Sequence, residues 1–311
     1  MNYREDLLSK QLYELNTEAI IRKFNPKYIE KKSMLENIYC LFWKVRQYLS
    51  RWKYKNLVDE ENILSLDEMR YMEEKSNIKL GEIPKVAVYT CIISNYDKLL
   101  EPLYKSGYCD YYAVTDFAYD SNSAWKRINS RYFPDAYKHS KKGPYVNRWF
   151  KMHPHELFPN YEYSLYVDGS VLIVADVIPL LLKMMKNNSF LGIHKHSKRS
   201  NMETEARVLI KNNKVKNIEL LNKQLLAYRN DGFNNNIPLL EATIILRKHN
   251  EHICKHIMNE WWSEFLMYVP RDQISLPYVL WKNGVSVDDI TILGENEYMN
   301  PRFSIRNHYR K

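Results

Sequence analysis

The chain has 311 residues, room for two domains or for one large domain with an appendage, which excludes a peptide-sized module. Hydrophobic residues make up 45% and charged residues 27%, a globular balance that excludes a disordered tail. Lysine plus arginine exceeds aspartate plus glutamate by 46 to 37, a net charge of +9 that favours an anionic partner such as nucleic acid, an acidic membrane or a phosphorylated small molecule.

Residues 1–80 contain no glycine and a single proline, Pro26, and read as a helical N-terminal extension. The first twenty residues scatter Arg4, Glu5, Asp6, Lys10, Glu14 and Glu18 with no apolar core between them, so no secretory signal is expected. Leu35, Ile38, Leu41, Phe42, Val45, Tyr48, Leu49 and Trp52 recur at helical spacing, opposite Lys44, Arg46, Arg51, Lys53 and Lys55. Segment 35–57 is therefore either a helix packed on the next domain or a peripheral contact with an anionic membrane face.

Gly81 and Pro84 mark a change of texture and place a domain boundary, with residues 84–311 forming the second unit. From there β-branched runs alternate with helical stretches, the pattern of an α/β fold. Residues 86–93 (VAVYTCII) predict a buried strand ending in the polar turn Ser94, Asn95, Tyr96, Asp97. Residues 111–115 predict a second strand, closed by Asp116. Residues 148–157 read as helix, with Arg148 and Lys151 on one face, either a solvated charged face or two cations that can point at one anion. Residues 163–174 (YSLYVDGSVLIV) read as strand interrupted by Asp168 and Gly169, residues 239–247 (LLEATIILR) as another apolar run, and residues 249–265 as helix. The longest apolar stretch, 171–185, is broken by Asp176, Pro179 and Lys183 and falls short of the ~20 residues a membrane span needs.

Cys40, Cys91, Cys109 and Cys254 lie far apart with no C-x-x-C spacing and read as reduced thiols, so a cytoplasmic protein is expected. No P-loop, G-x-S-x-G elbow, G-x-G-x-x-G fingerprint or H-E-x-x-H helix is present. The residue that demands an explanation is Asp168, because an unpartnered carboxylate inside an apolar strand is costly. Two readings stand. Either Asp168 and Gly169 break a strand at the carboxyl edge of an α/β sheet, where an oxygen ligand can hold Mg²⁺ or Mn²⁺ and through it a diphosphate; or they form the Asp-Gly turn of a hairpin between YSLYV and SVLIV. Asp272, after Pro270 and Arg271, is either a helix cap or a carboxylate held toward a cleft.

Several blocks occur in order: VAVYTCIISNYDKLLEP, YAVTDF with Trp125 downstream, NRWFKMHPHELFPNYEYSLYVDGSVLI, HSKRSNMETEA, KQLLAYRNDGFNNNIPLLEATIILRKHN, and WWSEF with RDQISLPYV. From about Lys85 onward the chain thereby resembles the bacterial and plant glycosyltransferase-like family of TOD1/MUCI70 type, long filed as a domain of unknown function and related to the GT-A class. The resemblance implies a GT-A-like, Rossmann-like mixed sheet flanked by helices, a nucleotide-sugar donor, and a divalent cation as cofactor. It implies donor contacts from Thr90, Asn95, Tyr96, Asp97 and Asp116 around base and ribose, and from Arg148, Lys151, Asp168, Gly169 and Ser170 around the diphosphate. Ser170 stands at the third place of the D-x-D pattern, so Asp168 and a C-terminal histidine, His308, are the implied metal ligands. His196, Arg199, Glu205, Arg271 and Gln273 fall on the acceptor side, and Asp272 or Glu241 is the candidate base. The expected activity is transfer of a sugar to a hydroxyl of a glycan or lipid-linked glycan in surface polysaccharide synthesis. The alternatives are a catalytically silent scaffold that keeps nucleotide-sugar binding and a nucleic-acid-binding module; the latter is not expected, because no RNA-binding or zinc signature occurs.

Overall fold

The computed structural model describes residues 83–306 except 120, 235–236, 295, 299 and 301. The predicted extension 1–80, the basic segment 35–57 and His308 lie outside the described residues. Among the described residues no helix is long and apolar enough to cross a membrane.

Seven strands form one mixed sheet in the order β3-β2-β1-β4-β7-β6-β8. They are β1 (Val86–Ile92), β2 (Cys109–Thr115), β3 (Lys126–Asn129), β4 (Tyr163–Val167), β6 (Leu191–Lys195), β7 (Leu240–Arg247) and β8 (Thr291–Ile292), while β5 (Val171–Ile173) pairs separately with β9 (Phe303–Ile305). This is the mixed α/β architecture with flanking helices that the sequence predicts. β1 runs parallel to β2 and β4, β3 runs parallel to β2, and β7 runs antiparallel to both β4 and β6. The carboxyl ends of β1, β2, β4 and β6 and the first residues of β7 therefore share one edge. Chain order reverses between β1 and β4, the point at which an α/β sheet opens a ligand crevice.

The hairpin reading of Asp168 fails on topology. β4 pairs with β1 and β7, and β5 pairs with β9, so the two halves of YSLYVDGSVLIV never face each other as strands. The chain turns at Asp168, whose carbonyl accepts the amide of Val171 at 2.9 Å, and leaves the main sheet.

Among the described residues seven helices accompany the sheet: α1 (Gly143–Met152), α2 (Pro154–Leu157), α3 (Ile178–Lys186), α4 (Met202–Lys211), α5 (Ile218–Asn230), α6 (His252–Met267) and α7 (Asp272–Lys282). The predicted helix 148–157 is two, because Pro154 stops α1 after Met152 and opens α2. Strand alternation sorts the core. Ala87, Tyr89 and Cys91 of β1 face a cluster with Val146, Trp149 and Phe150 of α1 and Ile257 and Trp261 of α6, while Val86 and Val88 face Ile178, Leu181 and Leu182 of α3 with Ile173 and Phe303. Each such side chain contributes on the order of 2 kcal/mol by burial, which makes α1 and α7 a firm base for polar groups at the sheet edge.

Candidate active site

α1 carries Arg148 and Lys151 along one face, and Pro144 in its first turn fits the fixed φ of a helix start. Its last turn is tied to the sheet by fully buried Arg247 of β7, which donates to the Lys151 carbonyl at 2.6 Å and to Tyr89 Oη at 2.6 Å. A cation at a helix carboxyl end meets the exposed carbonyls and the negative end of the dipole. Lys151 is itself buried, with its ammonium 5.3 Å from the centre of the Tyr166 ring.

Both predicted cations do converge on one anion, and it is Asp272. Arg148 Nε lies 2.7 Å and Lys151 Nζ 2.8 Å from the same oxygen, Asp272 Oδ2, at the first residue of α7. Burial by itself raises the Asp272 pKa, but the two cations outweigh it and hold the carboxyl well below the usual carboxylate range. Lys151 Nζ also lies 3.8 Å from Asp168 Oδ1. That oxygen accepts from Tyr166 Oη at 2.6 Å. Asp168 Oδ2 has no hydrogen-bond donor among the described residues, and the side chain keeps 25% of its surface exposed at the crevice.

Gly169 allows the turn after β4 to lie against the end of β1. A Cβ built on it would meet Ile92 Cγ1 at 2.9 Å and Asp97 Cβ at 3.2 Å. Asp97 is thus buried beside the turn, while Asn95 and Tyr96 are exposed on the loop leaving β1. Ser94 and Asn95 adopt left-handed backbone, φ 57° and 52°, and Asp116 stabilises that loop by accepting the Ser94 amide at 2.9 Å. Thr90 is enclosed within β1, and Ser170 is buried with its carbonyl accepting the Arg306 amide at 2.7 Å.

Beside β4 at the same sheet edge, β7 supplies Glu241. A register shift opposite Ile193 and His194 interrupts the β6–β7 ladder, and the displaced Thr243 carbonyl accepts the Asp168 amide at 2.9 Å. Such bulges re-aim side chains. Glu241 Oε1 accepts from Thr243 Oγ1 at 2.7 Å and Gln273 Nε2 at 2.6 Å, and Oε2 lies 3.7 Å from His196 Nε2. Burial lifts Glu241 to about 7, and the charges of Asp168 and Asp272 add to the rise against the pull of Thr243 and Lys151. His196 is pushed down to about 4 by burial and by Arg199, so it is neutral near pH 7. Arg199 Nη2 lies 2.7 Å from His196 Nε2, and its Nε is ion-paired with buried Glu205 in the first turn of α4.

The structure therefore brings Arg148, Lys151, Asp168, Glu241, His196, Arg199, Glu205, Asp272 and Gln273 into one connected cluster. Arg271 is turned elsewhere, donating to the Lys214 carbonyl. Four participants were not singled out in the sequence: Asn147, which accepts from Arg148 Nη1 at 2.6 Å and donates to the Cys91 carbonyl at 2.7 Å, together with Tyr166, Thr243 and Arg247. Tyr166 carried a usable signal, since it stands two residues before Asp168 on the same face of the strand. Arg247 carried another, as a charge closing an apolar run.

Residues 70–296 match the TOD1/MUCI70 glycosyltransferase-like domain. The chain belongs to this glycosyltransferase-like family. Among curated proteins it is 29% identical over 144 residues to a probable hexosyltransferase, MUCI70, of Arabidopsis thaliana, a match covering 42% of this chain and 23% of that protein. The chain thus spans about a quarter of the length of that relative. Among solved structures it is similar to the bifunctional glycosyltransferase WbbM in its apo form, at 14% identity and TM-score 0.42 over 67% of this chain and 38% of that one. It is also similar to mouse xyloside xylosyltransferase 1, at 8% identity and TM-score 0.41 over 67% and 84% of the two chains. A third similarity is to the galactosyltransferase LgtC with donor and acceptor sugar analogues, at 11% identity and TM-score 0.40 over 66% and 72%.

Proposed function

We infer that the protein transfers a sugar from a nucleotide-sugar donor to a hydroxyl of a glycan or lipid-linked glycan, using Glu241 as the base. The observation that carries this is the pairing of unlike carboxylates at the ends of two adjacent strands. Asp168 is open to the crevice beside two cations, whereas Glu241 is buried, doubly hydrogen-bonded and lifted to about 7. A buried carboxyl lifted to about 7 is suited to accept a proton, while the more exposed Asp168 is free to bind. The acceptor hydroxyl attacks the anomeric carbon, its proton passes to Glu241, and the bond from that carbon to the donor diphosphate breaks. Direct displacement of this kind inverts the anomeric centre. Arg148 and Lys151 supply the positive field at the leaving group, and Thr243 with Gln273 fixes the carboxylate of Glu241.

The residues suit a divalent cation shared with the donor. Asp168 offers one hard oxygen, and Mg²⁺ is commonly held by one or two carboxylates plus substrate phosphates. Among the described residues no group of three His, Cys, Asp or Glu could hold an ion unaided. When bound, the cation would neutralise charge on the departing diphosphate. Cytoplasmic location, peripheral membrane contact through segment 35–57 and a role in surface polysaccharide synthesis belong to the same proposal.

The test is release of nucleoside diphosphate from a panel of nucleotide-sugars by the full chain, with and without Mn²⁺, alongside thermal shift with the nucleotides. One donor should be consumed and its diphosphate should raise Tm. A rise in Tm without consumption of any donor would leave the catalytically silent alternative, and neither effect with any donor would refute the nucleotide-sugar reading.

A further inference from the structure

The geometry points to Asp272 as an internal stand-in for the donor diphosphate, seated between Arg148 and Lys151 until the diphosphate displaces it. The inference rests on the reading of Arg148 and Lys151 as diphosphate contacts. Both cations spend their shortest contacts, 2.7 and 2.8 Å, on one oxygen of one carboxylate. With that carboxylate in place, Asp272 Oδ2 occupies the position from which both cations could meet another anion, and Lys151 has Asp168 Oδ1 at 3.8 Å as well. Arg148 keeps 27% of its side chain exposed and Asp272 10%, which leaves the pair reachable from the crevice. A phosphate oxygen carries the same hydrogen-bond geometry as Asp272 Oδ2 and more charge, so it can take both contacts while the side chain rotates about the first turn of α7. Tyr166 and Asn147 stay in place during the exchange, because their bonds run to Asp168, Arg148 and the β1 carbonyl. The consequence is a site that holds its cations in position without a ligand and discriminates against weak monoanions, which must compete with a resident carboxylate.

Inorganic pyrophosphate is the probe, with binding to the full chain followed by calorimetry in EDTA and then with Mn²⁺. No binding to the unaltered chain under either condition overturns the underlying assignment of the cations. If it binds, Asp272→Asn should tighten pyrophosphate by about tenfold or more, because the competing charge is gone from between two cations. Unchanged or weaker binding by a variant with unaltered circular dichroism and Tm overturns the exchange. Should the variant fail to fold, a crystal structure of the unaltered chain with pyrophosphate decides. Phosphate oxygens on Arg148 and Lys151 with Asp272 rotated away support the exchange, and Asp272 still on both cations overturns it.

Discussion

Replacing Glu241 with glutamine tests the assigned base through stability as well as rate. A carboxyl lifted from 4.5 to about 7 costs the folded state on the order of 3 kcal/mol once ionised. The folded protein binds this proton more tightly than the unfolded chain does, so the penalty is absent below pH 4.5, grows between 4.5 and 7, and is complete above 7. Glutamine keeps a carbonyl oxygen for Thr243 Oγ1 and Gln273 Nε2, both of which donate to Oε1. Glu241→Gln should therefore raise Tm at pH 8 by roughly 5 °C or more and leave it nearly unchanged at pH 4.5. Transfer should fall by about 10²–10⁴, and the rise in rate with pH around 7 should disappear. The pair of measurements is calorimetric melting at both pH values and a pH–rate profile. A variant destabilised at pH 8, or one retaining transfer within about tenfold, would refute the reasoning.

Tyr166→Phe leaves Asp168 Oδ1 without its 2.6 Å donor, so donor KM should rise by about tenfold while kcat changes little; an unchanged KM removes Tyr166 from the site. Gly169→Ala forces a Cβ to 2.9 Å from Ile92 Cγ1 and should cost about 1–3 kcal/mol in urea unfolding, with donor affinity lost in step; a neutral substitution would mean that the turn is looser than this. Burial holds His153 and His249 at about 4 and His194 at about 3, so the unfolded chain takes up their protons first. Their contribution is complete above pH 6.5 and is lost as pH falls toward 4, at about 2 kcal/mol for each by pH 5. Urea midpoints measured from pH 7 to 5 should fall steeply, and a flat profile would contradict the burial of these rings.

The local elements were legible because their signals are local. The run VAVYTCII becomes β1 and LLEATIILR becomes β7 within a residue at either end, since both are buried on two faces and bounded by polar turns. Arg148 and Lys151 share a helix face because they stand three apart, whatever surrounds them. The helix boundary near residue 148 was less legible, because the true start at Gly143 follows Lys142, an N-cap residue whose side chain makes no capping hydrogen bond.

By itself, then, the amino-acid order determined an α/β fold, an aspartate beside a glycine interrupting an apolar run, and two cations on one helix face where one anion could meet both. What that anion is, only the tertiary structure decided, because Asp272 lies 121 residues along the chain from Lys151 and no periodicity reports such a pairing. The same holds for the hairpin reading of Asp168, excluded when β4 takes β1 and β7 as neighbours and β5 takes β9. It holds for Glu241, whose proton affinity comes from burial and from Asp168 and Asp272, groups that only the closed sheet edge brings together. Local spacing fixes which face a side chain occupies; solvent exclusion and the charges opposite it are properties of the assembled core.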